Sequence, residues 1–126
     1  MKVGLMVGEG SGAAPELKGL IERGQLAERL GLDTAWIANI ALDAMTASAA
    51  LGGATSRLEI GTAVVPTFTR HPVVMAQQAA STQMACSGRF SLGIGLAHKF
   101  LVEDMWGLSY DKPAQQMQYY LEVLEP

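Results

Sequence analysis

Short apolar runs alternate with longer helical patterns along this chain. The runs cover residues 3–7, 34–38, 58–65 and 90–96, and a polar or glycine-containing loop follows each one. Their short length, their β-branched residues and the turn residues that flank them favour strands over helices. Because the runs are almost continuously apolar, the pattern predicts parallel strands that are covered on both faces.

The helical patterns between these runs carry start and stop residues. Pro15 is predicted to begin the first helix and Gly31 to cap its end. Asp43 is the predicted N-cap of the second helix, because its carboxylate can accept a hydrogen bond from a free N–H group of the first turn. The second, third and fourth helices are predicted over residues 44–55, 72–88 and 113–124.

The strand–loop–helix unit occurs four times, which predicts an α/β fold with a parallel sheet and right-handed crossovers. Two architectures fit this pattern: an open doubly wound sheet, or half of a (β/α)8 barrel. A complete barrel needs about 250 residues, whereas this chain has 126. We expect residues 1–126 to form a single domain.

Composition narrows the possible functions. Charged residues make up 17% of the chain, against a usual value of about 25%, so we expect it to associate or to be part of a larger protein. The net charge of −3, without a basic stripe, argues against nucleic acid as a partner. One cysteine favours the reducing cytoplasm, and no apolar stretch is predicted to span a membrane. The two isolated histidines lack the spacing of metal ligands, so no metal site is predicted.

Ligands of such folds bind beyond the carboxyl ends of the strands, so the loops after the four strands form the candidate site. The glycine-rich loop over 8–14 can approach a phosphate, or it is a mobile cover over a pocket. Asn39 ends the second strand, where its amide can bind a ligand or form a turn. His71 could be catalytic, but its place before Pro72 favours a helix-capping role.

A second histidine follows the fourth strand. Gly93, Ile94 and Gly95 leave room for a flat ligand to lie against the backbone, and His98 stands just beyond them. A histidine at this rim can donate a proton to a bound substrate, although a lone histidine can equally be structural. His98 is therefore the candidate catalytic residue.

Four segments, in this order, resemble the luciferase-like flavin and deazaflavin oxidoreductases. They are GTAVVP at 61–66, RHPVVMAQQ at 70–78, SGRFSLGIG at 87–95 and EDMWGLSYDKPA at 103–114. The resemblance covers nearly the whole chain and is closest to the actinobacterial branch that uses the deazaflavin coenzyme F-420.

The resemblance implies a (β/α)8 TIM barrel, of which this chain is the N-terminal half, with the tricyclic ring of the cofactor over the strand ends. It also implies a bulge at the end of the third strand, with a non-prolyl cis peptide between Ala63 and Val64. Asn39 matches a polar position beside the ring, and the loop ending at His98 matches the one beside its reacting face. The expected cofactor-binding residues are therefore Asn39, Ala63, Val64, Gly95, Leu96, Ala97 and His98.

The same resemblance implies an oxidoreductase that transfers hydride between coenzyme F-420 and an organic small molecule, with His98 as the proton relay. Two alternatives stay open. The first is an FMN-dependent monooxygenase. The second is a truncated, non-catalytic half-barrel that associates with itself through its unpaired strand edges.

The second and third helical segments carry no charged residue at all. Met45 and Leu51 stand among alanines and glycines in the second, and Val73, Val74, Met75 and Met84 stand beside glutamines in the third. A surface helix usually turns a charged face to water, so these two helices are expected to face a partner. A two-fold contact is the commonest closed solution, which predicts a homodimer through helices two and three.

Overall fold

A computed structural model describes residues 1–8, 14 and 16–125. Pro15 and most of the glycine-rich loop over 8–14 lie outside the described residues. The strands are β1 (Gly4–Met6), β2 (Thr34–Ile37), β3 (Glu59–Thr62), β4 (Val65–Pro66), β5 (Phe90–Ser91) and β6 (Ile94–Gly95). The helices are α1 (Leu17–Arg29), α2 (Ala44–Gly53), α3 (Pro72–Ala85) and α4 (Pro113–Leu124), and a π-helical turn covers Leu101–Met105.

The strands form a parallel α/β fold in the order of the chain. Strands β1, β2, β3 and β5 make a four-stranded sheet, and β4 pairs with β6 in a separate two-stranded sheet. Each pair is parallel. The expected architecture of four successive βα units, as in half of a (β/α)8 barrel, is therefore confirmed.

Helix ends follow the predicted local chemistry. The Asp43 carboxylate accepts a hydrogen bond from the Thr46 N–H at 2.8 Å and caps α2. His71 Nδ1 accepts from the Val73 N–H at 3.3 Å and caps α3, so the structure places this histidine in the capping role. Gly31 has a φ of 81° just beyond α1, a conformation that glycine adopts at little cost.

The two faces of the four-stranded sheet differ in what covers them. On one face Ala35, Ile37 and Ile60 are fully buried in the core with residues of the helices. On the other face Met6 and Trp36, in register with each other, are 55% and 36% exposed. The expectation that both faces are covered is wrong for these strands, because four strands cannot wrap around to enclose their own second face.

The third and fourth apolar runs are not continuous strands, contrary to the expectation for residues 58–65 and 90–96. The third run divides into β3 and β4, and the fourth divides into β5 and β6. The breaks face each other, and their geometry belongs to the candidate site described below. The segment over 97–111, expected to be a loop, contains the π-helical turn.

Helices α2 and α3 pack against each other, and this corrects part of the expected dimer surface. Three residues that were expected to face a partner chain are buried in the core of this chain: Met45, Leu51 and Met75. Small residues let α2 lie deep against its neighbours: a Cβ on Gly52 would lie 2.4 Å from Cys86 Sγ. The large apolar residues of this helix pair that stay exposed come from α3, namely Val73, Val74 and Met84.

A carboxylate organises the edge of the sheet where the strands begin. Glu28, at the end of α1, accepts hydrogen bonds from the N–H groups of Ser56, Arg57 and Leu58 at 2.9, 2.6 and 2.9 Å. Burial raises the pKa of the Glu28 carboxyl, but these hydrogen bonds outweigh it, so the pKa lies below its ordinary value. None of the helices in the described part of the chain is long and apolar enough to cross a membrane.

Candidate functional site

A bulge separates β3 from β4 at the carboxyl end of the sheet. Gly61 is in register with Ser91, whereas Val65 is in register with Ile94. Three residues of one chain segment therefore lie opposite two of the other, which is the signature of a bulge. The Ala63–Val64 peptide bond within it is cis, so the expected bulge and the expected cis bond are both confirmed.

Thr62 replaces the missing ladder contacts at this bulge. Its Oγ1 accepts a hydrogen bond from the Gly93 N–H at 2.8 Å and donates one to the Gly93 carbonyl at 2.9 Å. Beyond it, the Val65 N–H donates to the same carbonyl at 2.8 Å. The threonine side chain thus supplies hydrogen bonds between the β3–β5 pair and the β4–β6 pair, which differ in register by one residue.

Glycines opposite the bulge allow the two segments to come close. A Cβ on Gly93 would lie 2.0 Å from the Thr62 carbonyl oxygen, and one on Gly95 would lie 2.5 Å from Val64 Cγ2. The Val64 side chain therefore occupies the space above Gly95, while 43% of Val64 remains exposed. Together these residues form an uncharged surface at the strand ends.

Asn39 lies at the end of the neighbouring strand and is half-buried. Its Oδ1 accepts a hydrogen bond from the Ala44 N–H at 3.0 Å, so the side chain helps to cap α2. The structure thus gives Asn39 the turn-forming and helix-capping role.

An ion pair between Asp43 and Arg70 joins the loops after the second and third strand units. Burial raises the pKa of the Asp43 carboxyl, but hydrogen bonds from Thr46 and the nearby Arg70 guanidinium bring it below its ordinary value. The Arg70 carbonyl accepts a hydrogen bond from the hydroxyl of the buried Tyr120 at 3.0 Å. These contacts fix Arg70 as a structural link between loops.

The loop after β6 carries the remaining predicted residues. Gly95, Leu96 and Ala97 are half-buried, and Ala97 has a φ of 61°. His98 is exposed, and its ring stacks on Phe100 with centroids 5.9 Å apart. The chain therefore places His98 at the rim of the uncharged surface, where an imidazole can exchange a proton with a bound molecule.

Two aromatic residues that sequence reasoning missed stand at the same rim. Phe68 and Tyr110 stack with centroids 5.1 Å apart, and the Tyr110 hydroxyl donates to the Ala97 carbonyl at 3.2 Å. Tyr110 belongs to the segment 103–114 that carried the resemblance, which is the one signal that could have identified it. Thr67 was also missed: it is fully buried, and its hydroxyl has no hydrogen-bond partner among the described residues.

The structure therefore brings most of the predicted residues together. Val64 lies against Gly95, and Ala97 and His98 belong to the loop that begins just after Gly95. Asn39 lies at the end of a neighbouring strand and is occupied with α2. No group of three or more potential metal ligands occurs within residues 1–8, 14 and 16–125. What remains is an uncharged surface at the strand ends, with an exposed histidine in the loop that follows Gly95, and apolar surface of this kind suits a planar organic ligand.

Comparison with known proteins identifies one family whose sequence model matches the chain. The sequence model of a family described as luciferase-like monooxygenase matches residues 1–126. A protein of Mycobacterium tuberculosis that carries the name of an oxidoreductase dependent on coenzyme F-420 is 30% identical over 125 residues. That match covers 98% of this chain and 35% of the relative, so this chain spans about a third of the relative's length.

Solved structures share the fold at low sequence identity. One is a type II Baeyer–Villiger monooxygenase from Pseudomonas putida in complex with FMN, with a TM-score of 0.87 and 18% identity. Another is the tetrahydromethanopterin reductase of Methanopyrus kandleri, dependent on coenzyme F-420, with a TM-score of 0.78 and 21% identity. The matches cover 99% and 98% of this chain and 38% of each of those chains.

Proposed function

Because the chain belongs to the luciferase-like monooxygenase family, we propose that it supplies the ring-binding part of an oxidoreductase. The proposed reaction is hydride transfer between coenzyme F-420 and an organic small molecule. The observation that carries the proposal is the uncharged surface of Val64, Gly95 and Ala97 at the carboxyl ends of the strands. In parallel α/β folds this edge is where ligands bind.

The residues present fit a tricyclic ring. Val64 offers an exposed methyl surface, and the absence of a side chain on Gly95 lets that surface lie low against the backbone. Ala63 and Leu96 flank these two residues, and Asn39 offers a polar amide at the neighbouring strand end. Coenzyme F-420 would supply the hydride chemistry when bound. The name of the relative from Mycobacterium tuberculosis favours this cofactor over FMN.

His98 is the proposed proton donor. It is exposed at the rim, and stacking on Phe100 gives its ring a defined orientation. In the assembled enzyme, replacement of His98 by alanine should lower turnover by more than about ten-fold while cofactor affinity changes little, because a positioned acid typically contributes about a hundred-fold or more. Unchanged kinetics over a pH series would remove His98 from the mechanism.

The proposed partner is a second copy of the chain, docked on α3 and the outward side of α2. A groove between these helices is lined by uncharged residues: Met45, Thr46, Ala49, Gln77, Gln78, Ser81 and Thr82. Val73, Val74 and Met84 are exposed nearby. The buried Oε1 of Gln78 has no partner among the described residues, and a second chain could offer it a donor.

A fluorescence titration tests the ring site and separates it from the alternatives. The probes are 5-deazariboflavin and riboflavin, because both carry the tricyclic ring and a ribityl chain but no phosphate. Their binding therefore depends mainly on the surface of Val64 and Gly95, here called the ring bed. Val64→Asp places a charge on the bed, whereas Val123→Asp places one on another exposed valine, on α4, and is the matched control.

The proposal expects the chain to bind the deazaflavin ring, Val64→Asp to lose binding and Val123→Asp to retain it. Tighter binding of riboflavin than of 5-deazariboflavin would favour the FMN-dependent monooxygenase. No binding of either ring by a folded chain would contradict the proposal and favour the self-associating half-barrel.

A further inference from the structure

The side chain of Tyr110 joins two neighbouring loops at the carboxyl end of the fold. Its ring stacks on Phe68, and its hydroxyl donates to the Ala97 carbonyl at 3.2 Å. Phe68 lies two residues beyond β4, and Ala97 lies two residues beyond β6. One residue from the last connection of the chain thus links the ends of a strand pair.

Both sequence neighbours of His98 are tied to this tyrosine. Ala97 accepts the hydroxyl hydrogen bond directly. On the other side, Lys99 Nζ pairs with Glu103 Oε2 at 3.7 Å, and Glu103 Oε1 accepts a hydrogen bond from the Tyr110 N–H at 3.4 Å. Contacts from both sequence neighbours of His98 therefore converge on Tyr110, through the backbone of Ala97 on one side and the side chain of Lys99 on the other.

The conformation of Ala97 makes the hydroxyl contact important. Its φ of 61° lies in the left-handed region, which residues with a side chain adopt only where their surroundings favour it. The next carbonyl, that of His98, accepts hydrogen bonds from the N–H groups of Leu101 and Val102. The turn that carries His98 is thus fixed by the Tyr110 hydroxyl before it and by the π-helical turn after it.

We propose that Tyr110 is a positioning residue that sets the direction of the His98 imidazole at the rim of the ring site. The catalytic task of His98 rests on the proposed function, whereas the effect of Tyr110 on the orientation of the imidazole does not. Loss of the hydroxyl releases the Ala97 carbonyl, the turn relaxes, and the imidazole leaves its stacked place against Phe100. The test therefore reads the orientation of the imidazole and does not need turnover.

The chain contains only two histidines, which makes proton NMR of their imidazole C–H groups a direct readout. The ring of Phe100 shifts the His98 resonances, whereas His71 caps α3 far along the chain and reports on the fold. The variant is Tyr110→Phe, which keeps the ring that stacks on Phe68. Tyr119→Phe, at an exposed tyrosine of α4, is the matched control.

The proposal expects Tyr110→Phe to move the His98 resonances toward those of an unstructured histidine while the His71 resonances stay in place. Tyr119→Phe should move neither. A Tyr110→Phe chain that fails to fold would displace the His71 resonances as well. In that case the second variant is Glu103→Gln, which breaks the ion pair with Lys99 and should shift the His98 resonances in the same direction.

Unchanged His98 resonances in a folded Tyr110→Phe chain, or in a folded Glu103→Gln chain if that variant is needed, would overturn the positioning role. This result is independent of the proposed function. If His98→Ala leaves turnover unchanged while Tyr110→Phe still shifts the His98 resonances, the catalytic role fails and the positioning role stands.

Discussion

The Thr62 hydroxyl makes two hydrogen bonds to one residue, Gly93: it accepts from the N–H at 2.8 Å and donates to the carbonyl at 2.9 Å. This side chain takes the place of a ladder contact at the point where the strands change register. The surface of Val64 and Gly95, the proposed ring bed, lies immediately beyond it. The shape of the site therefore depends on a buried threonine that does not belong to the site itself.

Replacement of Thr62 by valine should test this role. Valine keeps the shape of the side chain but leaves the N–H of Gly93 without its partner and removes one of the two hydrogen bonds to the Gly93 carbonyl. This loss should lower the free energy of unfolding by about 1–3 kcal/mol. Thr62→Ser keeps the hydroxyl and loses one methyl group, at a cost of about 1 kcal/mol. Urea denaturation should rank wild type above Thr62→Ser above Thr62→Val. A valine variant more stable than the serine variant would contradict the role of the hydroxyl.

Gly93 should tolerate no side chain. A Cβ at this position would lie 2.0 Å from the Thr62 carbonyl oxygen, so Gly93→Ala should push the two strand segments apart and cost about 3 kcal/mol, the upper part of the usual range for overpacking. Gly53 is the control, because nothing lies within 4 Å of a Cβ there. Gly53→Ala, at the end of α2, should be neutral or stabilise the chain by up to about 1 kcal/mol. Equal thermal stabilities for the two variants would refute the close approach at Gly93.

Stability should depend on pH through Glu28. The pKa of this carboxyl is lower in the folded chain than in the unfolded one, so the folded state favours the carboxylate. Its contribution is fully present above the ordinary carboxyl pKa of about 4.3, and it is lost as the pH falls through the lower folded value.

Glu28→Gln removes this titration and should destabilise the chain at neutral pH. The difference in unfolding free energy between wild type and Glu28→Gln should shrink as the pH falls below about 4.3. Glu22→Gln, at an exposed glutamate that pairs with Lys18 on the helix surface, is the control and should have little effect. A difference that stays constant between neutral and acid pH would disprove the assignment to Glu28.

The proposed dimer through α2 and α3 makes a prediction for charge. Gln77 is exposed in the groove between the two helices. In a two-fold contact each chain contributes the same surface, so Gln77→Glu brings two unpaired negative charges into the interface. Sedimentation should show a dimer for wild type and a larger monomer fraction for Gln77→Glu. Gln115→Glu, at an exposed position on α4, should sediment like wild type. A monomeric wild type, or a monomer fraction that Gln77→Glu leaves unchanged, would rule out this surface as the dimer interface.

Local signals in the sequence were sufficient for the helices and for the order of the strands. Asp43 and His71 cap the helices that their positions predicted, because capping needs only the side chain and the next few N–H groups. The break between β3 and β4 could not be seen in the apolar run itself. It arises from a register difference with a strand about 30 residues away, and only the resemblance indicated it.

The site was predictable only where a short matched motif contains the residue. Val64 and Ala97 were expected from matched motifs, and the structure brings them to one edge. Tyr110 and Phe68 escaped notice because their contact joins loops 42 residues apart in the chain, and no local pattern encodes such a pair. Met45 and Leu51 were expected to face a partner, since a helix without charge shows no polar face, yet the structure buries both of them.

Methyl NMR during a titration with 5-deazariboflavin tests the central claim most directly, because it shows where on the chain the ring binds. The account predicts that the methyl resonances of Val64, Leu96 and Ala97 shift together as the ring is added. The indole N–H resonance of Trp36, on the open face of the sheet, should stay in place. Shifts confined to Trp36 and Met6, with Val64 and Ala97 unmoved, would mean that the ring binds the open face and would contradict the account.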